Sequence, residues 1–171
     1  ASRPPDLIIG HGILGRLLAR LAIAMGFEEP TVWENNTERQ SGNVGYRVTD
    51  SDSDSRDNFT SIIDASGDNS ILNKAIARLT TGGEVVLAGF YTSSLSFDFV
   101  PAFMREASIR IAKEFTRDDI DGVLAFLEAG ALSLDGLISH RLNASESRDA
   151  YEMAFRDPSC VKMILDWRKC A

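Results

Sequence analysis

Cysteine is scarce in this chain of 171 residues, with Cys160 and Cys170 as its two thiols. Both lie near the C-terminus, and neither has a Cys or His neighbour at a spacing that would indicate a zinc site. We therefore predict two reduced thiols and no bound metal.

Positive charge is also scarce, since the formal net charge is −7 at pH 7 and no run of Lys and Arg occurs. A protein without a basic face does not neutralise a phosphate backbone, so nucleic acid is not expected as a partner. No apolar segment approaches the ~20 residues needed to cross a bilayer, and residues 1–5 do not resemble a signal peptide. We therefore expect no integral membrane segment and a cytoplasmic location.

Short apolar runs typical of strands alternate with segments of helical periodicity along the chain. The predicted strands are residues 7–9, 31–34, 44–48, 61–65, 84–88 and 109–113. This alternation is typical of an α/β fold in which helices cover both faces of a doubly wound parallel sheet. The pattern predicts one such domain over residues 1–136, followed by a C-terminal tail over residues 137–171.

The segments between the strands are predicted as helices and loops. The helical segments are residues 14–26, 71–79 and 118–129. Gly82 and Gly83 predict a tight turn into the fifth strand, and the acidic, serine-rich residues 51–58 predict a solvated loop. In the tail, the periodicity predicts strand over 137–142, helix over 145–155 and strand over 161–167.

The sequence Gly-His-Gly-Ile-Leu-Gly at residues 10–15 matches G-x-G-x-x-G directly after the first strand and at the start of the first helix. In that setting Gly10 permits the tight turn, Gly12 lets the backbone approach a pyrophosphate, and Gly15 lets the helix pack close to the strand. Free N–H groups and the positive end of the helix dipole then face the ligand's charge. The motif therefore predicts a dinucleotide-binding loop of the Rossmann type.

Glu34 stands at the end of the second strand, 24 positions after Gly10. A carboxylate there accepts hydrogen bonds from the ribose hydroxyls of a bound adenosine and repels the 2′-phosphate of NADP. Glu34 therefore favours NAD as the cofactor, although Arg39, nearby in sequence, leaves use of both cofactors open.

Two further strand ends should line the same crevice, because ligands of doubly wound sheets bind beyond the carboxyl ends of the strands. Ser66 and Gly67 are expected near the adenosine, and Gly89, Phe90 and Tyr91 near the nicotinamide. The alternative is that these glycines only turn the chain.

No catalytic acid or base is identified from the sequence. None of the three tyrosines is followed four residues later by lysine, as the tyrosine–lysine chemistry of short-chain dehydrogenases requires. His11 and His140 are isolated histidines, which are more often structural than catalytic. The ring of His11, inside the glycine loop, is nevertheless a candidate contact for the pyrophosphate.

Several segments occur together in one order, namely the glycine loop, the strand end at 62–67, the segment 82–89, and the tail segments 138–141, 150–152 and 162–165. In this order they resemble the medium-chain dehydrogenase/reductase superfamily over nearly the whole chain. The resemblance implies that a separate substrate domain of GroES-like fold is absent here and that the tail would complete it. It also implies a pyrophosphate site formed by Gly10, His11, Gly12, Ile13, Leu14 and Gly15.

A narrower resemblance rests on residues 10–20, 31–34, 88–91 and 101–106. These segments are similar to the bacteriochlorophyllide dehydrogenases of photosynthetic bacteria, which oxidise a 3-(1-hydroxyethyl) group to acetyl with NAD. The resemblance implies a small-molecule substrate of this class and a proton acceptor on the absent domain. Because such enzymes often pair through the sixth strand, it also implies a homodimer edge at residues 108–113.

Two other functions remain open at this point. A methyltransferase that binds S-adenosylmethionine also has a glycine loop after its first strand and an acid after its second. Gly15, which opens a helix tightly, argues against it. The other function is that of a regulatory module that binds NAD without chemistry of its own.

Overall fold

The structure, a computed structural model, describes residues 3–168, and its main feature is one sheet of six parallel strands. The strands are β1 (Leu7–Ile9), β2 (Thr31–Trp33), β3 (Arg47–Thr49), β4 (Phe59–Asp64), β5 (Leu79–Leu87) and β6 (Ser108–Ile111). Their order is β3-β2-β1-β4-β5-β6, so the chain starts at the centre of the sheet and winds outwards to both edges. The prediction of an α/β, doubly wound parallel sheet of the Rossmann type is confirmed.

Five α-helices accompany the strands in the described part of the chain. They are α1 (Ile13–Ala24), α2 (Ile71–Ala77), α3 (Phe99–Met104), α4 (Arg117–Glu128) and α5 (Ser147–Arg156). α1 ends where Gly26 takes a φ of +80° and donates its N–H to the Ile23 carbonyl. The apolar spacing of the sequence does not predict α3, since six residues are too few for a clear helical period. Among residues 3–168, no helix is both long enough and apolar enough to cross a membrane.

Apolar clusters cover both faces of the sheet, because successive side chains of a strand point to opposite sides. Leu7 and Ile9 of β1 face the cluster that contains Leu72 of α2. Ile8, between them, faces the cluster that contains Ala19 of α1. Full burial of each of these large side chains stabilises the fold by about 1.5–3 kcal/mol. β1 is therefore the buried centre around which the remaining strands are arranged.

The two glycines expected to form a turn lie inside a strand. β5 is continuous from Leu79 to Leu87, and Gly82 within it has a φ of +73°. The pairing with β4 shifts register at this point, since Leu79 pairs with Phe59 and Glu84 pairs with Ser61. The prediction of a tight turn is therefore wrong, because the positive φ that favours glycine forms a bulge in β5 instead.

Residues 51–58 do not form the fully solvated loop that their composition predicts. Ser51 and Asp54 are 1% and 3% exposed. Lys74 of α2 donates to the Ser51 hydroxyl at 2.6 Å, and Arg78 donates to the Asp54 carbonyl at 2.7 Å. The prediction is wrong for these two residues, because long-range partners on α2 satisfy polar groups that the local pattern assigns to water.

Two arginines are buried on α1, although its leucines are the residues with helical apolar spacing. Arg16 is 5% exposed and donates through Nε to the His11 carbonyl at 2.9 Å. Arg20 is 7% exposed and donates through one terminal nitrogen to the carbonyls of Ser133 and Asp135 at 2.9 and 2.8 Å. The guanidinium groups therefore anchor α1 to the glycine loop on one side and to residues 133–135 on the other.

The tail contains a second sheet, of two strands. β7 (His140–Asn143) and β8 (Met163–Asp166) pair in parallel, and α5 connects them. Cys160, just before β8, is a buried free thiol, whereas Cys170 lies outside the described residues. The division of the chain at residue 136 stays a prediction, and so does the expectation that the tail completes another domain.

Candidate functional site

A cleft of about 220 Å³ opens at the carboxyl ends of the central strands β1, β2 and β4. This is the position where doubly wound sheets bind their ligands. The cleft is lined by Ile9, Gly10, Gly12, Trp33, Glu34, Asn35, Arg39, Ser51, Ala65, Ser66, Asp68 and Ile71. The lining thus brings together four of the residues that the sequence predicts as cofactor-binding, namely Gly10, Gly12, Glu34 and Ser66.

The three glycines of the loop have different surroundings. A Cβ atom on Gly15 would lie 1.8 Å from the Gly10 carbonyl oxygen, so only glycine permits this contact between helix and loop. Gly10 has a φ of +94°, and its Cβ would meet the backbone of Ser66 at 2.9 Å. A Cβ on Gly12 would meet nothing within 4 Å, and no side chain caps α1 at Gly12. The helix N-terminus therefore presents unblocked backbone groups to the cleft.

Glu34 is held against the glycine loop by its carboxylate. Its Oε2 accepts the backbone N–H of His11 at 2.9 Å, and its Oε1 accepts the backbone N–H of Asn36 at 2.8 Å. Each carboxylate oxygen has further lone pairs, so the group retains acceptor capacity towards the cleft. Glu34 therefore fixes the loop and lines the cleft at the same time.

The ring of His11 is fully buried and does not line the cleft. Its Nε2 lies 2.9 Å from the Tyr46 hydroxyl, and its Nδ1 lies 2.5 Å from the Arg39 carbonyl oxygen. Removal from water lowers the pKa of His11 below its usual 6.5, so the neutral ring is favoured. The hypothesis of a contact between this ring and a pyrophosphate is therefore at odds with the structure, in which His11 supports the loop from behind.

The two strand-end segments expected at the crevice contact each other through their backbones. A Cβ on Gly89 would lie 2.7 Å from the backbone nitrogen of Gly67, and a Cβ on Gly67 would lie 2.7 Å from the Phe90 carbonyl oxygen. The Phe90 side chain is 97% exposed. Glycine at both positions is therefore needed for the close approach, and the turns are packed together rather than independent.

Asp64, the last residue of β4, was not singled out by the sequence analysis although it directly precedes the predicted segment. It is 1% exposed. Its Oδ1 accepts the backbone N–H and the hydroxyl of Ser66 at 2.9 and 2.6 Å, and its Oδ2 accepts the Tyr91 hydroxyl at 2.8 Å. The sequence does contain a signal for this role, because Asp64 is a charged residue in an otherwise apolar strand. A carboxylate buried there needs several hydrogen-bond donors around it.

Arg39 connects the cleft with the tail. Its side chain lines the cleft and donates through Nε to the Pro158 carbonyl. Its backbone carbonyl accepts a second hydrogen bond, from Arg16 at 3.1 Å, in addition to the His11 contact. The guanidinium is therefore engaged by the tail at the edge of the cleft nearest Glu34.

The remaining titratable side chains bear on metal binding and on catalysis. No group of three or more His, Cys, Asp or Glu side chains in residues 3–168 is arranged to hold a metal ion. His140 lies on β7, where its Nδ1 is 2.9 Å from the Ser139 hydroxyl. Burial, then the hydrogen bond to Asp64, raises the pKa of Tyr91 well above its usual 10, so Tyr91 stays protonated. The chemistry that this arrangement supports is the binding of an anionic, ribose-containing ligand.

Comparison with known proteins gives likenesses in fold and in sequence. No family model matches the chain. The fold is shared with an alcohol dehydrogenase (rspB) from Escherichia coli CFT073 complexed with the cofactor NADH, with a TM-score of 0.80 at 21% identity, over 94% of this chain and 51% of that chain. This likeness shows a shared fold.

Two curated relatives are much closer in sequence. The 2-desacetyl-2-hydroxyethyl bacteriochlorophyllide A dehydrogenase of Rhodobacter capsulatus is 54% identical over 164 residues, which are 96% of this chain and 52% of that protein. The enzyme of the same name from Cereibacter sphaeroides is 55% identical over 167 residues, 98% of this chain and 52% of that protein. The chain spans about half the length of these relatives. The predicted resemblance is confirmed, and the chain is a relative of the bacteriochlorophyllide dehydrogenases.

Proposed function

We propose that this chain is the NAD-binding half of an alcohol dehydrogenase that oxidises the 3-(1-hydroxyethyl) group of a bacteriochlorophyllide to acetyl. The observation that carries the proposal is the open space at Gly12, at an uncapped helix N-terminus with Glu34 beside it. Such a cradle fits the pyrophosphate and ribose of a dinucleotide. The names of the two relatives at 54% and 55% identity support the choice of substrate.

Each part of the cleft has its own role in holding the dinucleotide. Backbone groups of residues 10–15 bind the pyrophosphate, and Glu34 accepts hydrogen bonds from the ribose. Ser66 and Gly67 lie on the adenosine side, and residues 89–91 form the nicotinamide side. A bound nicotinamide supplies the hydride acceptor, while the residues of the chain bind and orient it.

The charge at Glu34 is the reason to propose NAD rather than NADP. A carboxylate held by two backbone N–H groups stays directed at the cleft, where it would repel a 2′-phosphate. Arg39 is the cation that would attract such a phosphate, but its side chain donates to the Pro158 carbonyl. Glu34 and Arg39 together therefore favour a cofactor whose adenosine ribose has free hydroxyls.

Oxidation of the alcohol removes a hydride from carbon and a proton from the hydroxyl, so the reaction also needs a proton acceptor. Within residues 3–168, the buried ring of His11 and the partly buried hydroxyl of Tyr91 are both engaged in hydrogen bonds inside the protein. We propose that the acceptor belongs to a substrate domain outside this chain. Residues 137–171 are proposed to pack against that domain.

We also propose that two copies pair through the edge of the sheet at β6. Among residues 3–168, β6 pairs with β5 alone, so in this part of the chain its outer edge is open to another strand. Ile111 on this strand and Phe115 beyond it are each 69% exposed. A sedimentation experiment that finds monomers of the whole protein would contradict this pairing.

Calorimetric titration tests the proposed cofactor. The protein that carries this chain is titrated with NADH, NAD⁺, NADP⁺ and S-adenosylmethionine, together with the variant Glu34→Ala and the control Glu29→Ala at an exposed position. We expect binding of NADH and NAD⁺ that weakens about tenfold or more in Glu34→Ala and is unchanged in the control. Binding of S-adenosylmethionine alone would contradict the proposal. Hydride transfer from a hydroxyethyl bacteriochlorophyllide then tests the substrate.

A further inference from the structure

The carboxylate of Asp64 lies between two loops that leave neighbouring strands. Its Oδ1 receives both donors of Ser66, which follows β4, and its Oδ2 receives the hydroxyl of Tyr91, which follows β5. The backbone carbonyl of Asp64 also accepts the N–H groups of Ala88 and Gly89 at 2.8 and 3.0 Å. One buried residue therefore accepts hydrogen bonds from both loops, through its side chain and through its backbone carbonyl.

The two loops have little freedom to move apart once this residue is in place. Gly67 and Gly89 are in close backbone contact at the same position. The Ser66 hydroxyl, while donating to Asp64, also accepts the backbone N–H of Asp68 at 3.0 Å. The hydrogen-bonded chain thus runs from the β5 loop through Asp64 to the residues that precede α2.

The phenol of Tyr91 acts as a permanent donor in this arrangement. Burial and the neighbouring Asp64 raise its pKa, because both disfavour a phenolate. Tyr91 is therefore not suited to exchange a proton during a reaction. Its hydroxyl serves to hold the nicotinamide-side loop on Asp64.

We propose that Asp64 is a positioning residue, which sets the distance between the adenosine-side loop (65–67) and the nicotinamide-side loop (89–91) so that both contact one dinucleotide. The inference rests on the proposed function, because the two loops are assigned to the two ends of the cofactor there. Asp64 itself has no contact with the ligand in this scheme. It acts through Ser66 and Tyr91.

The variant Asp64→Asn tests the link in the whole protein. The amide keeps the size of the side chain but replaces one acceptor oxygen with a donor, so the variant side chain cannot accept hydrogen bonds from both loops at once, and the link that holds the two loops to each other is broken. We expect the dissociation constant for NADH to rise about tenfold, since hydrogen bonds to a charged group are the stronger ones. Asp121→Asn, at an exposed position on α4, is the matched control and should leave the constant unchanged.

A double-variant cycle separates positioning from a merely structural role. Tyr91→Phe should also weaken NADH binding, and Asp64→Asn combined with Tyr91→Phe should be no weaker than Asp64→Asn alone. A structural role would lower the melting temperature and leave the dissociation constant of the folded protein unchanged. Independent, multiplicative effects of the two substitutions would overturn the inference.

Hydrogen exchange of the ligand-free protein gives a readout that does not depend on the cofactor. In Asp64→Asn, peptides that cover 65–67 and 89–91 should lose protection together. If only one loop or neither loosens, the inference fails. If the wild-type protein binds no NADH while both loops loosen together, the proposed function fails and the link between the loops stands.

Discussion

The indole Nε1 of Trp33 donates to Oδ2 of Asp54 at 2.7 Å, and both residues are buried. Oδ1 of the same carboxylate accepts the backbone N–H of Arg56 at 3.1 Å. Lys74 of α2 and Arg78, which directly follows α2, lie 5.9 and 5.7 Å from the centre of the indole ring. The loop after β3 is therefore fastened to β2 and α2 through one aromatic side chain at the wall of the cleft.

Asp54→Ala is expected to lower the free energy of unfolding by about 1–3 kcal/mol, because it leaves the buried indole N–H without its acceptor. Urea denaturation followed by circular dichroism measures the change. The control is Asp57→Ala, at an exposed position in the same loop. Equal midpoints for the two variants would show that the Trp33 hydrogen bond contributes nothing to stability.

Gly12→Ala is expected to weaken dinucleotide binding strongly without unfolding the protein. A methyl group at Gly12 meets nothing within 4 Å, and it projects into the space proposed for the pyrophosphate. The melting temperature should stay within about 2 °C of the wild type, while the NADH dissociation constant rises by about a hundredfold. Thermal melts and calorimetry together check this separation of folding from binding.

Gly15→Ala, in contrast to Gly12→Ala, should mainly lower the stability of the protein. Its Cβ would lie 1.8 Å from the Gly10 carbonyl oxygen, so the helix and the loop must move apart. We expect a loss of about 3 kcal/mol of stability, at the upper end of overpacking effects. A Gly15→Ala protein with wild-type stability would mean that the contact between helix and loop is not as close as described here.

Acid should destabilise the protein through His11. Because burial lowers the pKa of its imidazole, the folded state binds fewer protons than the unfolded state. The stability contribution is fully present above the ordinary pKa of 6.5 and is lost as the pH falls below it. The slope for one such group is at most about 1.4 kcal/mol per pH unit.

The measurement is the urea midpoint at several pH values between about 8 and 5. His11→Asn keeps an amide that can donate to the Arg39 carbonyl but does not titrate, so the slope below pH 6.5 should flatten. His140→Asn, on β7 in the tail, is the matched control. A slope that persists in His11→Asn and disappears in His140→Asn would assign the pH dependence to the tail.

The central sheet and the glycine loop with Glu34 were predictable because the sequence patterns that indicate them are local. The apolar run of β1, the glycines at residues 10–15 and the acid at Glu34 follow each other closely in the chain, and each has one physical role. The fifth strand was recognised by its apolar run, but not the bulge within it. A positive φ at Gly82 fits a turn and a bulge equally well, and only the pairing with β4 distinguishes them.

The buried polar side chains that hold the walls of the cleft were not predictable in the same way. Asp54 accepts a hydrogen bond from Trp33, 21 residues away in sequence. Arg20 donates one to Ser133, 113 residues away. Polar residues of these types are usually solvated, so periodicity assigns them to the surface. Their burial depends on partners that are distant in sequence and lie close only in the folded chain.

The location of Trp33 also means that the intrinsic fluorescence of the protein can report on the cleft. The chain has two tryptophans, of which Trp33 is 1% exposed at the wall of the cleft and Trp167 is 71% exposed in the tail. A buried indole emits at shorter wavelength than a solvated one, so the two contributions separate in the emission spectrum. Quenching of the blue component would follow occupancy of the cleft, and a shift of the red component would follow contacts made by the tail.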